Sequence, residues 1–135
     1  MDGQAGKLHH IPAGSLSAGT AQTAGMQRYA AISGALVGAQ AIWMGQTHVA
    51  PATTSGPHHH GHSETGIFVI SGTPVFSYHD GTQEVHIQTK PGDYVYVPPF
   101  VPHSESNPSS DTEAVVVIAR STQEAIVENL ASLHA

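Results

Sequence analysis

The chain has 135 residues, enough for one domain that buries about two-thirds of its unfolded surface. A formal net charge of -6 with only four Lys+Arg argues against nucleic acid or an anionic membrane as partner, and zero cysteines exclude disulfides and thiolate ligands. Charged residues make up only 10% while Gly (14) and Pro (9) are frequent, a mix that suits short strands and tight turns better than a helical bundle.

Residues 1–25 are rich in Gly, Ala, Ser and Thr without periodicity and read as an irregular arm. Residues 28–33 are predicted as a first strand, and 35–44, with Leu36, Val37, Ile42 and Trp43, as a second and longer one. A loop is expected over 45–57, where Pro51, Thr53, Thr54, Ser55, Gly56 and Pro57 cluster. Strands follow over 65–70 and 73–79, and Asp80-Gly81 reads as a two-residue hairpin turn into 83–88, where Val85 and Ile87 alternate. Residues 90–93 form a turn, 94–97 alternate again, and the apolar run 114–119 reads as a strand buried on both faces.

The end of the chain changes character. Ser121 and Glu124 have capping-box spacing, and Ile126, Leu130 and Leu133 fall at i, i+4 and i+7, which predicts a helix over 121–134 packed on the sheet or on a neighbouring subunit. No apolar run is long enough for a membrane span and no signal-peptide apolar core opens the sequence, so a cytoplasmic location is expected. Short strands throughout, with turn signals at close intervals, predict one all-β sandwich or barrel over 1–135.

Chemistry concentrates at His58-His59-His60-Gly61-His62-Ser63-Glu64. On a strand His58 and His60 share one face, with Cα atoms about 6.6 Å apart, so both imidazoles can lean onto one ion. Imidazole with carboxylate suits Zn, Fe, Ni and Mn. A tag would sit at a terminus, and a metal-scavenging tract would hang in a flexible loop. Here the run leads into Ile67-Phe68-Val69-Ile70, a short apolar segment closed by Ser71-Gly72, so the histidines enter a sheet.

A second segment, 92–107, carries Gly92, Pro98, His103 and Asn107. With 58–72 it resembles the two motifs of the cupin family. Those four residues fit the second motif, G(X)5PXG(X)2H(X)3N, at every spacing; its middle Gly is Phe100 here, a departure expected to alter a turn but no ligand. In the first motif, G(X)5HXH(X)3-4E(X)6G, His58, His60 and Gly72 fit, while Ala52 stands at the opening Gly. Counting back from Gly72 puts Thr65 at the carboxylate position, and Glu64 is one residue early. The resemblance covers residues 52–107.

The resemblance implies a cupin jelly-roll β-barrel, all-β, with a metal inside near one mouth. Carried over, His58, His60 and His103 are its ligands, and three imidazoles leave positions open for water or substrate. The fourth ligand stays open between Glu64, His62 and water. Glu64 shares strand parity with His58 and His60 and points inward unless a bulge intervenes; with one between His60 and Thr65, Thr65 faces the metal and Glu64 the outside. His59 should face away from its two neighbours, at the rim.

Among cations only Arg28 is a plausible single anchor in the cavity, which disfavours a diphosphate-gripping enzyme and favours a small neutral or singly charged substrate. Tyr94 and Tyr96 share one strand face and either line the pocket or pack. The resemblance to small single-domain cupins implies an enzyme of dioxygenase type with Fe, Mn, Ni or Zn. An isomerase or lyase using the metal as Lewis acid, and a non-catalytic binding module, are the alternatives. The N-terminal arm and the Val115-Val116-Val117-Ile118 apolar run suit a homodimer.

Overall fold

Period-two alternation of apolar and polar residues gives strands almost everywhere, and a computed structural model describes residues 6–134. After a single 3-10 turn at Ala13–Ser15 come β1 (Met26–Ile32), a one-turn helix α1 (Gly34–Val37), β2 (Trp43–Val49), β3 (Thr53–Thr54) and β4 (His58–His59). Then follow β5 (Thr65–Ser71), β6 (Val75–His79), β7 (Glu84–Gln88), β8 (Tyr94–Val97), β9 (His103–Asn107), β10 (Ala114–Arg120) and β11 (Glu128–Asn129). One antiparallel sheet runs β1-β2-β10-β5-β8; the other runs β11-β4-β9-β6-β7, with β3 beside β9. The two face each other as a jelly roll. Along β2, Trp43, Gly45, Thr47 and Val49 are buried while Met44, Gln46 and His48 are less so, which marks the inner face. Ile67, Val69, Phe76, Val97 and Val116 close one end of the interior as an apolar plug. Each side chain so buried contributes about 1.5–3 kcal/mol. The histidines lie beside this plug, around a cavity lined by both polar and apolar side chains.

Several expectations change. The predicted strand over 35–44 starts instead with α1, because the Ser33 hydroxyl accepts the Leu36 N–H as an N-cap and Gly38 takes a left-handed φ of 74° at the other end. The predicted loop over 45–57 therefore loses its first half to β2. The Asp80-Gly81 hairpin closes over four residues: His79 pairs Glu84, and the Asp80 carboxylate accepts the N–H groups of Thr82 and Gln83. In β10 Ala114 and Val116 are fully buried, but Val115 and Val117 on the outer face are only half-buried. The first five residues of the irregular arm, and Ala135, lie outside the described residues.

The helix over 121–134 does not form. A three-turn helix is marginal in isolation, and here its backbone groups find better-placed partners. The Arg120 guanidinium donates to the carbonyls of Thr122 and Gln123, the Gln123 amide bridges Ile42 O and Gly34 N, β11 pairs β4, and Leu130 N–H reaches Pro57 O. The segment becomes an extended strap along the cavity. Of the three residues in the expected apolar stripe only Leu133 is buried.

Ala52 and Phe100, which stand where the two motifs have glycine, both adopt left-handed φ, at 55° and 62°. The turns thus keep a glycine-like shape in residues that resist it, so Phe100 leaves its turn unaltered, at a cost of about 1 kcal/mol each. Ala52→Gly should raise the unfolding free energy by about 1 kcal/mol in a denaturant titration. Phe100→Gly should gain less, because the Phe100 ring packs edge-on against His59 at 5.7 Å and that contact is lost.

Candidate metal centre

His58 on β4 lies directly across from His103 on β9, so sheet pairing alone brings two imidazoles together. His60, two residues on, falls on the same side and completes the group: ring centroids are 4.9, 4.6 and 5.0 Å apart. One ring nitrogen from each lies within 4.8 Å of the others, the one such group of metal-ligating side chains among the described residues. Each Nδ1 sits against a backbone carbonyl: His58 on Gly56 O at 2.8 Å, His60 on Ile126 O at 2.8 Å, His103 on Val101 O at 3.0 Å. A carbonyl only accepts, so each Nδ1 carries the proton and each Nε2 keeps a bare lone pair. Three converging neutral lone pairs repel one another and match what a divalent ion requires, with the carbonyls fixing ring orientation. The strap supplies one of those carbonyls, so the segment expected to be a helix instead orients His60.

Burial strengthens this state. It pushes the His103 imidazole down to about 4, with the charges of the neighbouring histidines adding to the effect and the Val101 carbonyl opposing it. Burial also lowers His60, against the pull of the Ile126 carbonyl. The unfolded His103 takes a proton below 6.5, whereas the folded one resists until about 4. Unfolding therefore takes up a proton in that window, and stability falls as pH drops through it, by on the order of 3 kcal/mol. Denaturant unfolding of metal-free protein across the window should show that slope, and His103→Gln should flatten it relative to wild type.

Glu64 is not brought to the group. A turn at Gly61, with φ 57° and Ser63 N–H on His60 O at 3.1 Å, shifts strand parity before β5 begins. Thr65 is thereby buried and lines the cavity, while Glu64 is exposed on the outer face and accepts the Tyr96 hydroxyl at 2.7 Å. His62 is exposed as well, and His59 turns outward to Phe100. Tyr94 and Tyr96 are exposed, and neither lines the cavity that holds all three imidazoles.

The imidazoles open onto a cavity of about 470 Å³ between the two sheets. Arg28 lines it, as expected, and so do Arg120 and Glu105, which the sequence reading passed over. Both were accessible by parity: Arg120 is in step with Ala114, Val116 and Ile118 along β10, and Glu105 is two residues from His103 on β9. Arg120 stacks over Trp43 at 4.2 Å, and Gly45 makes room for that ring, since a Cβ there would meet the Trp43 ring at 2.7 Å. Burial raises the Glu105 carboxyl above its ordinary range, opposed by Arg28 and His58.

A profile described as a cupin domain matches residues 45–119. No curated protein matches the sequence. Among solved structures, the polyketide cyclase RemF from Streptomyces resistomycificus is similar at TM-score 0.74 and 16% identity, over 92% of this chain and 86% of that one. A conserved protein with a double-stranded β-helix domain from Klebsiella pneumoniae gives 0.63 and 17%, over 82% and 88%. Oxalate decarboxylase gives 0.68 and 18%, covering 81% of this chain but only 29% of its own length. At such identities the likeness establishes the shared fold.

Proposed function

The chain belongs to the cupin family, and from that premise we propose that it is a divalent-metal-dependent enzyme acting on a small organic molecule in the 470 Å³ cavity, of dioxygenase type. The observation that carries the reading is the set of Nδ1-anchored imidazoles of His58, His60 and His103, held ready for an ion without a carboxylate. Bound there, a divalent ion supplies a Lewis acid and, where redox-active, a centre for oxygen chemistry. The protein's share is to exclude water with the Ile67–Val97 plug, to orient the substrate from Arg28 and Arg120, and to hold a carboxyl at Glu105. Oxalate decarboxylase, a structural neighbour, has Mn(II) centres, which supports manganese as the first metal to try.

Glu105 favours a second reading, an isomerase or lyase in which the ion stays a Lewis acid and a cavity carboxyl handles protons. Oxygen consumption separates the two. With a panel of enolisable diketones, phenols and keto acids, the dioxygenase reading expects turnover with Fe(II) or Mn(II) that stops under argon. Turnover that continues anaerobically with zinc selects the other; stoichiometric metal with no turnover under either condition selects a binding module.

A homodimer is part of the proposal. Tyr94, Tyr96 and Ile70 are 80, 59 and 42% exposed, and the Phe68 ring touches Tyr94 at 4.8 Å, giving an apolar patch on the outer face of edge strand β8. Tyr94→Glu should convert the dimer to monomer in light scattering with metal content unchanged.

A further inference from the structure

The chain has only four Lys+Arg, and two of them, Arg28 and Arg120, line one cavity in a molecule of net charge -6. Solvation disfavours that placement, since a surface cation keeps its water. Both come from the inner face of the β1-β2-β10-β5-β8 sheet, while the imidazoles come from the facing sheet. Arg28, Arg120 and His60 line the same cavity, so the charges share one space. Glu105 is the sole carboxylate lining it among the described residues, and the ion pairs among those residues are His48–Glu113 and His86–Glu84, so no described carboxylate pairs directly with either guanidinium.

The arginines are also held in place. Arg120 is fixed by Trp43 below it and by the carbonyls of Thr122 and Gln123, which take its Nε–H and one terminal N–H. Arg28 is steadied by Thr23, whose hydroxyl accepts one N–H at 2.8 Å. A guanidinium has five N–H donors, so each keeps donors for something else. With a divalent ion on neutral imidazoles, the charge of this space is +2 from the ion and +2 from the arginines against at most -1 from Glu105. Oxygen donors of a neutral substrate leave that excess uncompensated.

We propose that the substrate is a carboxylate, its carboxyl group gripped by Arg28 and Arg120 on one wall while another of its oxygens faces the imidazole cluster on the other. This rests on the metal-enzyme reading and narrows it: of the neutral and singly charged substrates the sequence allows, the anion is chosen. A planar carboxylate matches the fork of a pre-oriented guanidinium, and its charge offsets the excess in the cavity.

The test uses two probes of nearly equal size, acetoacetate and acetylacetone, both enolisable and only the first anionic. They are titrated into zinc-loaded protein, which is redox-inert, and followed by fluorescence of Trp43, the only tryptophan and the ring beneath Arg120. Acetoacetate should bind at least about tenfold more tightly. Arg28→Gln should shrink the preference to within about twofold, and Arg28→Lys, which keeps the charge without the fork, should retain part of it. Equal affinities in wild type, an undiminished preference in Arg28→Gln, or no binding of either probe at millimolar concentration would each overturn the proposal. Metal content is measured on the same samples. If no stoichiometric zinc is taken up, the enzyme reading falls by itself, while a preference for acetoacetate in metal-free protein still upholds the anion site.

Discussion

His103→Ala should abolish stoichiometric metal binding while Glu64→Ala leaves it intact. His103 is the buried member of the group, placed by pairing with His58 on one side and Tyr78 on the other, so the shape of the sheet survives its truncation. Losing only the outer hydrogen-bond partner of a ligating imidazole costs about 10- to 100-fold in metal affinity, and removing the imidazole itself costs more. With the remaining pair the site has too few donors to compete with water and buffer. His58→Ala and His60→Ala should behave alike. Glu64 lies on the other face of β5, where its carboxylate accepts the Tyr96 hydroxyl. Its loss should register as a small change in stability, within the ~0.5 kcal/mol typical of surface substitutions. The measurement is elemental analysis of protein purified without a nickel column, with circular dichroism as a check on folding. Loss of metal in Glu64→Ala, or its retention in His103→Ala, would contradict the three-imidazole site.

What the sequence made legible was periodic. His58, His60 and His103 stand at spacings that sheet geometry converts directly into one face, so the heart of the site could be read without a structure. The strands at 84–88 and 94–97 announced themselves by alternation, and those at 65–71 and 75–79 by a short apolar run and flanking turn residues. What stayed hidden depended on partners distant in sequence. Whether Glu64 or Thr65 faces inward turns on the parity shift at Gly61, and a glycine in a turn does not declare how many residues it inserts. The stripe Ile126, Leu130, Leu133 fitted a helix, yet the competing bonds come from Arg120, His60, β4 and Pro57, none of which a local window contains. The Arg120 placement followed from simple alternation, but the apolar run before it drew the eye to packing.

Asn107→Ala should destabilise the fold by about 3 kcal/mol and lower the melting temperature by roughly 10 °C. Asn107 is 1% exposed, and its amide nitrogen lies 3.1 Å from Val49 O, 3.3 Å from Ala50 O and 2.8 Å from Thr112 O. Carbonyls only accept, so the NH2 end must face them, its hydrogens shared among the three, while the amide oxygen accepts the Ser109 N–H. One side chain thus ties the end of β9 to the end of β2 and to the turn before β10. Alanine removes the donor that one buried and two part-buried carbonyls share, and unmade buried bonds cost more than made ones contribute. Asn107→Asp sharpens the argument, because it preserves size and the acceptor for Ser109 but turns an oxygen toward the carbonyls. It should be at least as destabilising as alanine near neutral pH and should recover part of the loss in acid, where the carboxyl gains a proton to donate. An aspartate variant as stable as wild type would mean that packing, and not the donated hydrogens, is what holds this corner. Because the tie lies four residues from His103 on the same strand, both variants should still take up metal well below their melting points, which separates the anchor of the fold from the chemistry it positions.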